Sequence, residues 1–140
     1  MINITLRSKV RGELTTIYKH FDADLFRYLL PPGAQLIEFG GSKQGDIVHI
    51  KLPIAGEWIS EITEDGVSTD TCYFIDEGRK LPFPLKAWRH KHILHRAGNS
   101  TIIEDQINYA TGNILADLLI YPVLYLSFLP RVSQYKQYFN

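Results

Sequence analysis

Two runs decide the reading of this chain: Trp88-Arg89-His90-Lys91-His92 and Ile103-Glu104-Asp105-Gln106-Ile107-Asn108-Tyr109. Both alternate with the period of a strand, in which successive side chains point to opposite faces. Trp88, His90, His92 and Leu94 therefore share one side, and Ile103, Asp105, Ile107 and Tyr109 share one side of the next strand. If those two sides look into one interior, it is apolar overall with a few convergent polar groups, the usual composition of a small-molecule site. The Gly98-Asn99 turn lies about midway between His92 and Asp105. The hairpin register can thus set the two residues opposite or diagonal, within reach of a cross-strand hydrogen bond.

Working outward, Ile2, Ile4 and Leu6 alternate with polar residues and mark a first strand. From Leu14 to Leu30 the apolar positions step by three and four, which predicts two short helices, with Asp22 as cap of the second and Pro31-Pro32-Gly33 as its end. Strands are then predicted over 35–39, 47–52, 58–62 and 67–75, with Glu64-Asp65-Gly66 as a tight hairpin turn. Gly78, Pro82 and Pro84 predict a loop from Asp76 to Leu85, and strands over 86–95 and 101–109 complete the meander. Gly112-Asn113 opens a last helix running towards Tyr138, with a kink near Pro122 and, at Pro130, a second bend or the start of a more polar piece. The order β-α-α-β-β-β-β-β-β-α predicts an α+β fold, a curved antiparallel sheet wrapped around a long kinked C-terminal helix. A sheet bent in this way leaves a cavity against the helix.

Bulk properties narrow the functional classes. The chain has 140 residues and is 45% hydrophobic, which suits one domain over 1–140 that needs no disulfide or metal staple. Its 15 basic and 15 acidic side chains cancel, without blocks of like charge, so nucleic acid is not an expected partner. The single Cys72 excludes an internal disulfide and a cysteine-rich zinc site, and fits a cytoplasmic location. Met1 to Leu6 reads as a strand, not a secretory signal. The apolar run Ile114 to Leu129 is interrupted by Asp117 and Pro122 and falls short of the roughly 20 residues of a span, so a buried helix and no integral membrane segment are expected.

The element order resembles the SRPBCC or START-like superfamily of Bet v 1-like helix-grip proteins, which includes the birch-pollen allergen, steroidogenic lipid-transfer domains and polyketide cyclases. Pro82-Phe83-Pro84 ahead of Trp88 to His92, then Gly98 to Thr101, Asp105, Tyr109, Phe128 and Arg131, is similar to a bacterial subgroup of ligand-binding, polyketide cyclase/dehydrase-like members. That subgroup has Pro and Gly after the tyrosine, where this chain has Thr111-Gly112-Asn113. The resemblance implies a pocket for a hydrophobic molecule such as a lipid, a polyketide or an isoprenoid.

His90, His92 and Asp105 admit three readings. They could form a facial metal-ligand set. Alternatively, Asp105 accepts a hydrogen bond from one imidazole and so satisfies two otherwise costly buried groups. This second reading is adopted, so no metal or cofactor is expected. Thirdly, a His backed by a carboxylate is a general base, with Tyr109 as donor to an oxyanion. No activated serine or cysteine accompanies it, and buried His–Asp pairs frequently only organise a pocket. Expected ligand contacts are Trp88, His90, His92, Asp105, Tyr109 and Phe83, with Tyr121 and Tyr125 offering hydroxyls. Phe83, between two prolines, is either a lid or a plug, and Arg131 is an anchor for exposed carbonyls or an acidic neighbour. Sequestration of a small hydrophobic ligand is the leading function. A cyclase, dehydratase or hydrolase is the alternative, and a module exposing its aromatic C-terminal helix to a protein or membrane surface is the third.

Overall fold

The computed structural model describes residues 1–140. The elements are β1 (Ile2–Arg11), α1 (Leu14–Lys19), α2 (Ala23–Leu29), β2 (Gln35–Phe39), β3 (Ile47–Leu52), β4 (Gly56–Val67), β5 (Thr71–Lys80), β6 (Ala87–Ala97), β7 (Ser100–Ala110), α3 (Ile114–Phe128) and α4 (Arg131–Phe139). All seven strands form one antiparallel sheet in the order β1-β7-β6-β5-β4-β3-β2. This is the expected α+β helix-grip layout, with the last helix in two pieces.

Local chemistry sets the element ends. The Asp22 carboxylate accepts the Leu25 N–H at 3.1 Å and starts α2. The Asn113 side chain accepts from Leu115 and Ala116 and starts α3. One turn on, Asp117 accepts both the N–H and the hydroxyl of Thr111 at 2.6 Å, which locks the end of β7 to the helix. The core has two parts. Leu14, Ile17 and Leu25 of the short helices pack with Phe74, Leu94, Ile103 and Tyr135, while Ile4, Leu6, Trp88, Ile107 and Tyr109 form a second cluster.

The structure differs from the sequence reading in three places. Asp65-Gly66 is not a hairpin: β4 continues to Val67, and the turn follows it, closed by Ser68 and Thr71. Gly66 lies beneath the Tyr73 ring, where a Cβ would collide, so packing accounts for this glycine. Asp76 to Lys80 belongs to β5, which leaves only 81–86 as loop. As expected, a more polar piece starts at Pro130: α3 continues through Pro122 to Phe128, and α4 follows the interruption at Leu129–Pro130.

The largest difference concerns α3, expected to be buried. Asp117 is its one buried residue, and Ile114, Leu115, Leu118, Leu119, Val123 and Leu126 are exposed. The segment Ile114–Phe139 has 26 residues and a window of mean hydropathy 1.4, but it is interrupted at Leu129–Pro130, and α3 alone, with 15 residues, falls short of a span, as the sequence predicts. The second part of the segment lies on the protein's own core, where the Tyr135 ring stacks on Phe21 at 5.9 Å.

Tyr135 is fully buried and its hydroxyl has no hydrogen-bond partner. Tyr135→Phe is therefore expected to leave unfolding free energy within about 1 kcal/mol of the parent or to raise it. Tyr135→Ala should cost roughly 3–5 kcal/mol by urea denaturation, because it empties a filled aromatic site.

Candidate functional site

The strand register brings four titratable side chains together at the centre of the sheet. On adjacent strands, Asp76 of β5 stands opposite His90 of β6, and His92 stands opposite Asp105 of β7. The hydrogen bonds run along the diagonals instead. His90 Nε2–H donates to Asp105 Oδ1 at 2.7 Å and His92 Nε2–H donates to Asp76 Oδ2 at 2.8 Å. The crossing is possible because the two imidazoles lie face to face, with centroids 3.7 Å apart. Arg131, at the first position of α4, brings Nη1 to 3.7 Å from Asp105 Oδ1.

Burial sets the electrostatics. His90, His92 and Asp105 are 3%, 2% and 2% exposed. Burial works to raise the Asp105 carboxyl, but the His90 hydrogen bond and the charges of His90 and Arg131 outweigh it and hold the group at about 2. Asp76 is likewise lowered: burial opposes ionisation, and the His92 hydrogen bond wins. For His92, burial and then the electrostatic influence of the adjacent His90 push the ring down to about 4 against the pull of Asp76. His92 is thus neutral at pH 7. Its Nε2 carries the proton towards Asp76, and its Nδ1 faces Asp105 at 3.5 Å without a hydrogen bond.

Aromatic rings wall this group in. Phe74 stacks on His92 at 4.2 Å, and Trp88 and Phe128 stand edge-on to His90 at 6.1 and 5.8 Å. The space expected to be hollow is therefore filled at the histidines. Two shallow surface hollows, one lined by Lys9, Arg11, Ser100 and Lys136 and one by Arg7, His95, Ile102 and Glu104, contain no member of the group. Asp76, His90 and His92 do offer ligand atoms within 4.8 Å of one another, close enough for a metal ion. The hydrogen-bonding nitrogens of both rings are turned onto carboxylates, and Arg131 stands beside Asp105 as a cation.

The remaining candidates take other positions. Trp88 is buried between Trp58, edge-on at 4.6 Å, and Phe128 at 5.6 Å. The Tyr109 hydroxyl donates to the Asp117 carbonyl at 2.7 Å, so it anchors α3 rather than facing a pocket. Tyr121 and Tyr125 stack on one another at 6.0 Å on α3, and Tyr125 packs against the second core cluster. Phe83 is 94% exposed, and in this conformation it neither plugs the core nor covers a site. Asp76 is the member that the sequence reading missed. Its signal was the alternation Cys72, Phe74, Asp76, which continues the inward face of β5, but Gly78 and the prolines beyond masked it.

Acidification gives this arrangement a measurable sign. His92, Asp76 and Asp105 all have folded-state values below their unfolded ones, so the unfolded chain takes up more protons as pH falls. The share of His92 is complete above about 6.5 and is lost towards about 4, and that of Asp105 is lost from about 3.8 down to about 2. Stability by urea unfolding should therefore fall between pH 7 and 4.5, with up to about 3 kcal/mol from His92 alone. His92→Phe, which keeps a ring in the Phe74 stack, is expected to flatten that slope and to cost roughly 1–3 kcal/mol at pH 7, because Asp76 loses its donor. The parent slope persisting in the variant would refute the assignment.

No protein-family model matches the sequence, and a search of curated proteins returns no match. Solved structures do match. Truncated norcoclaurine synthase from Thalictrum flavum superposes with a TM-score of 0.68 at 13% identity, covering 95% of this chain and 91% of that one. The protein XoxI from Bacillus cereus gives 0.68 at 14% identity, with 99% and 96% covered, and Ara h 8.0201 gives 0.53 at 13%, with 94% and 97% covered. At such identities the likeness is one of architecture, and it extends over nearly every element from β1 to α4. The chain shares the helix-grip fold of these structures.

Proposed function

We propose that this chain, as one domain over residues 1–140, binds a small hydrophobic molecule on the inner face of the sheet, between β2–β4 and α3. The observation that carries this reading is a partly uncovered apolar strip. Leu36, Ile50 and Trp58 form one cross-strand row, and all three are half-buried. By contrast, the same face of β5 to β7 is sealed by helices and rings. A flat apolar group laid on the strip would cover Trp58 beside the buried Trp88, with burial worth about 25 cal/mol per Å². Ligand binding is in keeping with the fold: one matching structure is a norcoclaurine synthase variant in complex with a transition-state analogue. A cytoplasmic location is in keeping with the single buried thiol, Cys72.

Sequestration is favoured over turnover because both imidazoles are shut behind Trp88, Phe128 and Phe74, with their hydrogen-bonding nitrogens committed to carboxylates. The alternative, a cyclase, dehydratase or hydrolase, has the 2.7 Å His90–Asp105 contact in its favour. It requires Phe128 or Trp88 to swing aside so that a substrate can reach an imidazole.

Native mass spectrometry of protein purified without denaturation should show a bound mass, and anilinonaphthalene sulfonate should fluoresce on the emptied protein. Trp58→Ala is expected to weaken dye binding about tenfold, equivalent to roughly 1.4 kcal/mol. An empty protein that does not enhance the dye would sink the binding reading. Conversion of a co-purified molecule that stops in Asp105→Asn would replace it with the enzymatic one.

A further inference from the structure

Antiparallel connections send the loops of the meander alternately to two ends of the sheet. One end carries the β3–β4 turn (53–55), the β5–β6 loop (81–86) and the β7–α3 junction (111–113). Ile59 pairs with Lys80 and Ala87 with Ala110, so these segments stand side by side. Each presents apolar side chains to solvent. Ile54 is fully exposed at φ 66°, a conformation that β-branched residues rarely adopt. Phe83 is held out between Pro82 and Pro84, and the first turns of α3 expose Ile114, Leu115 and Leu118. Among the turns at the other end, only the β4–β5 turn has an exposed large apolar neighbour, Val67.

The charge around these tips is cationic. Lys51 and Lys86 are exposed and have no carboxylate partner, while Glu57, the acidic side chain on the neighbouring strand, is neutralised by Lys80 at 2.7 Å. The single charged side chain of α3, Asp117, is buried on Thr111. From this we propose that this end of the molecule docks on the surface of an anionic phospholipid bilayer. The apolar tips enter the acyl boundary, and the lysine stems allow their ammonium groups to stay among the headgroups. Separate apolar tips flanked by the unpaired Lys51 and Lys86 suit a deformable, negatively charged surface better than a second copy of this neutral chain, which would bring the same lysines face to face. The flanking prolines limit how much chain freedom is lost on docking.

The inference goes beyond ligand binding and does not rest on it, because vesicle association is read whether or not the inner strip is filled. The full chain should sediment with vesicles of phosphatidylcholine containing about 30% phosphatidylglycerol at about 0.1 M salt, and at least tenfold more weakly with phosphatidylcholine alone. Phe83→Asp and Ile54→Asp should each reduce binding about tenfold or more, while Val67→Asp at the other end leaves it unchanged. All three sites are exposed, and circular dichroism checks that the variants fold. Wild-type protein staying in the supernatant, or equal losses in Val67→Asp and Phe83→Asp, would overturn the proposal. So would light scattering showing a dimer that Phe83→Asp dissociates, since the same surface would then join two copies.

Discussion

Two carboxylates stand in the middle of this sheet, and nothing about a protein interior favours leaving them there without donors. The solution is reciprocal. Each imidazole of β6 reaches past its direct neighbour to the carboxylate on the diagonal, and the rings must stack for both to do so. Three strands are thereby tied at one point, and Arg131 adds the start of α4 beside it. Removing one member of such an arrangement strands a buried charge, which explains how much of the surrounding packing is organised around it. Phe74, Phe128 and Trp88 exclude water from the group and so strengthen the interactions that hold it. The same rings close the centre, which leaves the face of β2–β4 as the half-covered part of the interior.

Most of the architecture was legible in the chain, and the failures have physical causes. Period-two alternation placed His90, His92 and Asp105 on inward faces because both hairpin strands are regular and their register is unbroken. The Asp22 cap was equally readable, since a short side-chain acceptor ahead of a helical pattern has little else to do. Asp65-Gly66 misled because glycine serves close packing as well as tight turns, and here it makes room for Tyr73. Asp76 was lost to the loop signal of residues that come after it. Whether α3 would be covered could not be read at all, because an apolar helix looks the same in sequence whether its outer side meets protein, lipid or water. The diagonal choice of partners was also hidden: alternation gives a face, and only coordinates show which carboxylate each ring selects.

Helices α3 and α4 divide the work of the C-terminal segment. The first carries little charge and touches the sheet with one side, with Ile120, Leu124, Tyr125 and Phe128 packed against the second core cluster. The second is more polar, yet it supplies Tyr135 and Arg131 to the interior. Pro130 separates the two roles, since it cannot donate a backbone hydrogen bond across the break. A ligand surface beneath α3 and a lipid-facing end at its start would share one element, so the helix that borders the inner strip is also the one exposed at the rim.

The pairing of β1 with β7 has a consequence for how the chain acquires this shape. Every other adjacent pair in the sheet is a sequence neighbour, whereas Ile2 meets Tyr109 across almost the whole polypeptide. Closing so long a segment is entropically slow, and it comes last in any order of assembly that begins with local hairpins. During synthesis β1 therefore waits, with its edge unpaired, for β7. Until β7 has emerged, the meander lacks its outer border.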